Sequence, residues 1–384
     1  MSSVLAQKQT PLHGNHVNRQ AKMVDFSGWD MPLQFGKVIE EHHAVRNAAG
    51  LFDISHMGLV TVTGPDRDTV RQFLDTLVPQ NLQKLVPGKA IYTQFLNEAG
   101  GIIDDLIVYE LPEQSPFDEF EQFMVICNAG NTDTDIAWMK RHAPDNVSVH
   151  FVSNRYSLVA LQGPKFQQVL AECGLNAEQL PKRFWINAAE LALPGSNTPE
   201  SVLLARTGYT GEDGVEIIVK SQAVNHLWDG LLNAGQALGI YPVGLAARDT
   251  LRLEAALPLH GHDISENDSP LEADLAWSVK MEKPTPFIGQ EALRTQLDKG
   301  LAKKLVCFQL VKKTIPRQHD TILLNGEPVG EVTSGSISPI LNLPIGMGYI
   351  NASVSAKPGD IIQIDIRNKP VDAEIVEKPF YKKA

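Results

Sequence analysis

The sequence predicts an α+β fold followed by a smaller β-rich domain, and two observations support this. First, a strand, a Gly-Pro break and a helix occur twice, around Gly64-Pro65 and around Gly163-Pro164. This repetition indicates one supersecondary unit used twice, with internal pseudo-symmetry. Second, short apolar strands follow at regular intervals from Phe287 onward. We therefore place a boundary near Glu282-Lys283-Pro284, with two interleaved α+β subdomains in residues 1–283 and the β-rich domain in residues 284–384.

Helical and strand patterns alternate in the first region. Apolar spacing predicts a helix over residues 37–49, which Gly50 ends as a C-cap. The further predicted helices are residues 66–77, 131–141, 165–170 and 245–256. The predicted strands are residues 59–63, 90–96, 102–109, 123–127, 157–162, 202–206 and 215–219. Residues 97–101 join two of these strands and contain Asn97 and Gly100-Gly101, which predicts a β-hairpin.

The C-terminal region begins with a short helix over residues 290–298 and then becomes strand-rich. Its predicted strands are residues 305–311, 321–324, 329–333, 347–350, 361–366 and 371–376. Asn325-Gly326 is typical of a tight hairpin turn. Regular short strands of this kind predict a small barrel or a sandwich.

Length, charge and cysteine content limit the class of protein. A chain of 384 residues is long for one domain. Its formal net charge of -11, without a long Lys/Arg run, argues against general nucleic-acid binding. Three widely separated cysteines fit a reducing compartment and no zinc site of the usual spacing. A polar N-terminus over residues 1–14 and the lack of a long apolar run predict a cytoplasmic protein that does not span a membrane.

Two adjacent carboxylates, Asp104 and Asp105, lie inside an apolar predicted strand. Side chains alternate faces along a strand, and both faces here are apolar. At least one carboxylate must therefore be buried, where it requires hydrogen-bond donors, a cation or a ligand. Both aspartates could instead lie at the mouth of the hairpin and accept backbone N–H groups.

The segment from Asp53 to Met57 contains Asp, Ser and His within four residues. We reject a hydrolase triad, because triad members come from distant segments and the nucleophile needs a special strand-to-helix turn. A structural hydrogen-bond network, or one wall of a ligand pocket, explains the segment better.

Residues 207–214 contain three glycines and are followed by a strand that carries Glu216. A phosphate loop is excluded, because no Lys-Ser/Thr pair and no helix N-terminus follow. The glycines instead predict a tight connection in which the backbone approaches a neighbour closely. Glu216, like Asp104, is an acid within an apolar strand, and it either binds a ligand or forms a salt bridge at the strand end.

Arg248 and Arg252 lie one turn apart on one face of the predicted helix over residues 245–256. Like charges at this spacing repel slightly. They are useful where the face meets a ligand carboxylate, and otherwise they pair with Asp249 and Glu254.

With these residues in view, the chain resembles the T-protein family of the glycine cleavage system from about Thr10 to Phe380. The motifs that carry the resemblance are residues 23–29, 52–57, 100–109, 208–217, 244–254 and 332–339. The resemblance implies a three-domain folate-binding aminomethyltransferase fold, whose last domain is a β-barrel. It also implies transfer of the methylene carbon of an aminomethyl group from the dihydrolipoyl arm of H-protein to tetrahydrofolate, giving 5,10-methylenetetrahydrofolate and ammonia.

The resemblance also implies roles for individual residues. Asp104 matches the acidic residue beside the reacting folate nitrogens. Glu216 and Arg248 match folate contacts, and the further cofactor-binding positions that we assign are Tyr92, Asn128, Tyr109 and Met57. A carboxylate suits the N–H/NH₂ edge of a pterin, an arginine suits the folate carboxylates, and no metal is implied.

Two other functions fit the same fold: a folate-binding module without transferase activity, and a folate-dependent demethylase. The non-transferase relatives carry a Lys-Gly-Cys-Tyr type motif where this chain has Thr207-Gly208-Tyr209-Thr210. No Gly-x-Gly-x-x-Gly strand–helix unit is present, which argues against a fused flavin or nicotinamide domain.

Overall fold

The computed structural model describes residues 7–382, which form two compact units. The first unit runs to Phe73 and includes Leu82–Ile91 and Leu106–Arg248. The second consists of Leu74–Asn81, Tyr92–Asp105 and the chain from Asp249 onward. Residues 1–6 of the polar N-terminal segment lie outside the described residues, and the boundary predicted near Lys283 stays a prediction.

Helices and strands alternate along the described chain. The α-helices are α1 His13–Asn18, α2 Val38–Asn47, α3 Arg67–Leu77, α4 Thr132–His142, α5 Phe166–Glu172, α6 Val224–Ala234, α7 Leu245–Glu254 and α8 Gln290–Lys299. The strands before Asp249 are β1 Lys22–Phe26, β2 Trp29–Gln34, β3 Ala49–Asp53, β4 Gly58–Thr63, β5 Ala90–Leu96, β6 Ile102–Glu110, β7 Phe123–Cys127, β8 Ser148–Phe151, β9 Tyr156–Gln162, β10 Ile186–Leu191, β11 Glu200–Ala205, β12 Gly214–Lys220 and β13 Ile240–Pro242. The later strands are β14 Lys303–Leu310, β15 Thr321–Leu324, β16 Glu327–Ser338, β17 Leu343–Asn351, β18 Ile361–Asp365 and β19 Pro370–Val376.

A six-stranded sheet in the order β10-β11-β12-β9-β3-β13 organises the first unit. Its register places Glu216 of β12 beside Ala205 of β11 on one side and Ala160 of β9 on the other. Asp53 of β3 pairs with Val159, the neighbour of Ala160 on β9. Because consecutive residues point to opposite faces, Glu216 and Asp53 lie on opposite faces of this sheet.

Helices α5 and α6 cover the face that carries Val159. Their apolar residues, including Val169 and Trp228, pack against alternate residues of β12 such as Val215 and Ile217. All four side chains are fully buried, and each contributes on the order of 1.5–3 kcal/mol of hydrophobic free energy. This core fixes the register of β12 and thereby the direction in which Glu216 points.

A five-stranded sheet has the order β5-β6-β7-β4-β8. The turn between β5 and β6 is closed by bonds from the Asn97 N–H to the Gly101 carbonyl and from the Gly100 N–H to the Asn97 carbonyl. The predicted hairpin is therefore confirmed. Both predicted strand–Gly-Pro–helix units are also present, as β4–α3 and β9–α5, with one strand in each sheet.

The C-terminal strands form a closed barrel in the order β14-β17-β16-β15-β18-β19. Of the two architectures that the strand pattern left open, the barrel is the one observed. Its interior is filled by buried side chains that include Phe308, Ile322, Val332, Ile364 and Ile375. Closure pairs every strand on both sides, so that no open sheet edge remains within it.

Cys127, Cys173 and Cys307 are all buried, and none of the three forms a disulfide bond. Burial raises the pKa of the Cys173 thiol to about 11 and that of Cys307 to about 12. Between residues 7 and 382, no helix is long and apolar enough to cross a bilayer.

Candidate active site

Glu216 lies in the middle of β12 with 9% of its surface exposed. The Thr207 hydroxyl donates a hydrogen bond to Glu216 Oε2 at 2.5 Å. The Tyr109 hydroxyl lies 3.1 Å from Thr207 Oγ1, and Tyr109 is fully buried. The predicted acid in an apolar strand is thus a buried carboxylate in the sheet interior, and the salt bridge at a strand end that we considered is not formed among the described residues.

Burial raises the pKa of Glu216, and the Thr207 hydrogen bond and the Arg248 charge oppose this shift without cancelling it. Burial lowers the pKa of Arg248, while Tyr209 and Glu216 favour its charged form. Within residues 7–382 the Arg248 guanidinium makes no hydrogen bond or ion pair, and it lies 4.6 Å from the ring centroid of Tyr209. A buried acceptor and a cation without an acidic partner therefore lie within electrostatic range of each other.

Arg252, one turn further along α7, is engaged in structural contacts. Its guanidinium donates to Asp249, to Asp263 at 2.6 Å and to Ser334. The pairing with Asp249 agrees with the structural interpretation of this helix face, whereas Asp263 was not predicted. Arg252 is therefore held by the protein itself, and the ligand-binding role assigned to Arg248 stays a prediction.

The glycine-rich turn over residues 207–214 is held by two buried side chains. Gln162 Nε2 donates to the Thr207 carbonyl at 3.1 Å, and Gln162 Oε1 accepts from the Thr210 hydroxyl at 3.0 Å. Arg46 of α2 donates to the Thr210 carbonyl and forms a buried ion pair with Glu212 at 2.9 Å. The turn is therefore a rigid support for Thr207.

The close approach predicted for this turn is confirmed at Gly208. A Cβ atom there would lie 2.0 Å from Gln162 Oε1. Gly211 has a φ of +80°, a left-handed conformation that favours glycine. Glycine is therefore favoured at both positions, because a larger residue would displace the Gln162 side chain at Gly208 and would be strained at Gly211.

The segment with Asp53, Ser55 and His56 contains a structural network. Asp53 accepts hydrogen bonds from Thr10 at 2.6 Å and from the Ser55 N–H at 2.9 Å, and its Oδ2 lies 2.9 Å from His16 Nε2. Burial alone would raise the pKa of Asp53, but His16, Thr10 and Ser55 together lower it. The predicted structural network is confirmed, with His16 and Thr10 as partners that the sequence did not indicate.

His56 stands apart from that network. It is buried edge-on against Phe26, with ring centroids 5.5 Å apart. Burial and the nearby Arg248 charge lower its pKa to about 4, so that the imidazole is neutral at physiological pH. Met57, the next residue, is half-buried, and Asn128 lies in the turn between β7 and α4. The roles assigned to Met57 and Asn128 stay predictions.

The second unit contains the remaining predicted residues. Asp104 of β6 is fully buried, which confirms that at least one carboxylate of the pair is buried, and Asp105 is half-buried. The Tyr92 hydroxyl donates to Asp105 Oδ2 at 3.0 Å. The Tyr92 ring stacks on Trp277, with centroids 5.6 Å apart and planes 23° apart.

Sequence reasoning missed Thr207, Gln162 and Trp277. Trp277 is 55% exposed, so that its indole and the Tyr92 ring form an aromatic surface. Thr207 carried a usable signal, because it opens the glycine-rich turn that precedes the strand of Glu216. Gln162 carried none, since its contacts with residues 207–210 arise only in the folded sheet. Across residues 7–382, no three His, Cys, Asp or Glu side chains are grouped to hold a metal ion.

Two family models match the chain. The GCVT N-terminal domain matches residues 12–283, and the glycine cleavage T-protein C-terminal barrel domain matches residues 303–382. The second match lies on the closed barrel described above.

Curated relatives match over nearly the full length. The chain is 40% identical to an aminomethyltransferase of Oceanobacillus iheyensis over 381 residues, which are 98% of this chain and 99% of the relative. It is 39% identical to an aminomethyltransferase of Bacillus subtilis over 377 residues, with the same coverage of 98% and 99%. The crystal structure of glycine cleavage system aminomethyltransferase T from Bartonella henselae superposes with a TM-score of 0.85 at 35% identity, covering 97% of this chain and 98% of the other.

Proposed function

The chain belongs to the glycine cleavage T-protein family, and from this premise we propose that it is the aminomethyltransferase of a glycine cleavage system. In this reaction the methylene carbon of an aminomethyl group, carried on the dihydrolipoyl arm of H-protein, passes to tetrahydrofolate. The products are 5,10-methylenetetrahydrofolate and ammonia. One observation carries the proposal: a buried Glu216 lies within electrostatic range of Arg248, which has no acidic hydrogen-bond partner within residues 7–382, and both positions match folate contacts of the family.

The residues of the first unit fit a folate. A pterin presents N–H and NH₂ donors on one edge, and Glu216 offers a buried carboxylate that can accept from that edge. Folate also carries carboxylates, and the planar Arg248 guanidinium suits such groups. The residues paired with Glu216 on the neighbouring strands, Ala160 and Ala205, have small side chains, which suits a flat ring beside the carboxylate.

Tetrahydrofolate supplies the nitrogens that receive the carbon. Asp104 is the acid that we assign to the chemistry, because its buried carboxylate can accept a proton or stabilise positive charge at the transferred carbon. Tyr92 donates to Asp105, the neighbouring carboxylate. The choice of Asp104 over Asp105 rests on the position that it matches in the family. Tyr109 supports the folate site through Thr207.

H-protein is the proposed donor, and its docking is expected to be transient. Lys303 and Lys304, two neighbouring cations of the C-terminal domain, are largely engaged inside the protein. Lys303 is paired with Asp268, and Lys304 Nζ donates to the carbonyls of Val354 and Ala356. The exposed group Lys312, Lys313 and Arg317 on the barrel domain is therefore the better candidate for an acidic partner. Three cysteines without a disulfide bond suit a reducing cytoplasm, which we propose as the location.

The proposal is tested with purified protein, tetrahydrofolate and aminomethyl-loaded H-protein. We expect 5,10-methylenetetrahydrofolate and ammonia in equal amounts. Release of ammonia without methylenetetrahydrofolate, or no reaction despite tight folate binding, would favour a folate-binding module. Turnover of an N-methylated amine in place of loaded H-protein would favour a folate-dependent demethylase.

A further inference from the structure

We propose that Thr207, supported by Tyr109, is a positioning residue that holds Glu216 in its ligand-binding orientation and favours its ionised form by donating a hydrogen bond to it. This inference rests on the proposed function, because it concerns the carboxylate assigned to the pterin. The three side chains form a continuous hydrogen-bonded chain from Tyr109 through Thr207 to Glu216. No motif of the sequence joins them, since Tyr109 and Thr207 are 98 residues apart.

The donor in each of these two hydrogen bonds follows from the protons that the side chains carry. A threonine hydroxyl has one proton, and Thr207 donates it to Glu216 Oε2. The hydrogen bond between Tyr109 and Thr207 must then be donated by Tyr109. Burial, aided by the Glu216 charge, raises the pKa of the Tyr109 phenol well above its usual value, so that it stays protonated and remains a donor. Tyr109 therefore donates to Thr207, and Thr207 donates to the carboxylate form of Glu216.

The framework around Thr207 leaves this hydroxyl little freedom. Gln162 holds the Thr207 carbonyl, and Arg46 holds the turn three residues further on at Thr210. Tyr109 is fully buried in β6. A hydroxyl fixed on both sides can impose one rotamer on the carboxylate that it contacts.

The surroundings of Glu216 make this one contact decisive. Its neighbours on β9 and β11 are alanines, which offer no side-chain donor. The charged or titratable groups that act on it are Arg248 from α7 and Tyr109 from β6. Within residues 7–382, Thr207 supplies the hydrogen bond that this carboxylate receives, which engages Oε2 and leaves Oε1 for a ligand donor.

The same contact governs ionisation. Burial raises the pKa of Glu216, and the Thr207 hydrogen bond acts in the opposite direction. Removing the hydroxyl should therefore raise the pKa of Glu216 further and leave less carboxylate at a given pH. Ligand binding that needs the carboxylate would then begin only at higher pH.

The test compares Thr207→Val, Thr207→Ser and Tyr109→Phe with the wild type, with tetrahydrofolate titrated anaerobically by calorimetry across a range of pH. For Thr207→Val we expect affinity to fall about 10- to 100-fold near pH 7, the scale of a hydrogen bond to a charged group. The acid limb of its affinity profile should move to higher pH. Thr207→Ser should restore affinity and profile, and Tyr109→Phe should give a smaller shift in the same direction.

Thr210→Val is the matched control, since its hydroxyl belongs to the same turn but donates to Gln162. It should loosen the turn without moving the acid limb. An unchanged affinity profile in a folded Thr207→Val protein overturns the inference, and so does a Thr207→Ser variant as weak as Thr207→Val, which would indicate a packing role. Failure of the wild-type protein to bind tetrahydrofolate would instead overturn the proposed function.

Discussion

Asp53 and Glu216 are two buried carboxylates on strands that flank the same neighbour, β9, and their surroundings differ completely. Asp53 lies on the face covered by α5 and α6 and has Thr10, His16 and the Ser55 N–H as partners. Glu216 lies on the opposite face, between two alanines, with Thr207 as its donor. The pKa of Asp53 is lowered and that of Glu216 is raised.

The difference shows how the two kinds of buried acid can be told apart. A carboxylate whose lone pairs are already used by the protein stabilises the fold and has nothing to offer a ligand. A carboxylate buried with spare acceptor capacity costs free energy in the empty protein, and a ligand donor can recover that cost. By this criterion we propose that Asp53 is structural and that Glu216 belongs to a binding site, although both are acids in apolar strands.

The largest expected effect is on stability, in Asp53→Ala. The change leaves His16, Thr10 and the Ser55 N–H buried without their acceptor, which should cost about 3 kcal/mol or more. Urea unfolding near pH 7 measures this loss. Asp30→Ala is the control, because the Asp30 carboxylate also pairs with a histidine, His13, but is 23% exposed, and about 1 kcal/mol or less is expected.

The stability difference between the wild type and Asp53→Ala should also depend on pH. A carboxyl whose pKa is lowered in the folded state contributes stability above its unfolded pKa of about 3.9, and the contribution is lost as the pH falls through the folded pKa. The stability difference between wild type and Asp53→Ala should therefore narrow in acid. A difference that stays constant down to acidic pH would count against the charged network.

Asp104 is a third buried acid, and its substitution is predicted to lower the turnover rate. Asp104→Asn keeps the shape of the side chain but removes its charge and basicity, and turnover should fall by about 100-fold or more. Tetrahydrofolate affinity should weaken less. Steady-state kinetics with loaded H-protein measure the effect, and Asp105→Asn is the matched variant. Normal turnover in Asp104→Asn together with loss in Asp105→Asn would assign the chemistry to the other aspartate.

Glu216→Ala should weaken tetrahydrofolate binding by about 1–3 kcal/mol, because donors of the bound pterin lose their acceptor in a buried site. Calorimetric titration measures this change. A second variant, Glu216→Gln, concerns stability. In contrast to Asp53→Ala, its free energy of unfolding should not fall. A raised carboxyl pKa makes the folded state less stable as pH rises through the unfolded pKa of about 4.3, and the glutamine removes this penalty at neutral pH. Unchanged folate affinity in Glu216→Ala would indicate that Glu216 has a structural role, like Asp53.

The smallest effect is expected at the surface. If exposed cations such as Lys312, Lys313 and Arg317 guide H-protein, the rate with H-protein should fall several-fold as salt is added, because the screening length is about 8 Å at physiological ionic strength. The rate with a small free dihydrolipoyl substrate should change much less. Equal salt dependence for both donors would exclude a charged docking face and leave the buried acids unaffected.

Some features of the fold and the site could be predicted from the sequence more fully than others. The hairpin of β5 and β6 follows from local signals, since turn residues separate two apolar strands, and β5 has the predicted bounds. The burial of Glu216 and Asp104 was also predictable, because an acid inside an apolar strand has no polar face to occupy. The closed barrel could not be distinguished from a sandwich by strand spacing alone, and the family resemblance decided it.

The partners of the buried acids could not be predicted, for a physical reason. His16 lies 37 residues from Asp53, and Thr207 meets Tyr109 only when segments 98 residues apart are folded together. Such contacts depend on strand order and register, which the pattern of one strand does not contain. The sequence could therefore locate the acids, but it could not show which one has spare acceptor capacity.

The buried thiols of Cys173 and Cys307 can report on local opening of the folded protein. With a pKa of about 11 for Cys173 and about 12 for Cys307, roughly a thousandth or less of either thiol is thiolate at pH 8. Alkylation by iodoacetamide then requires local opening, and the two cysteines lie in different units. Peptide mass mapping after timed pulses of reagent would give a separate opening rate for each unit, without any label being introduced.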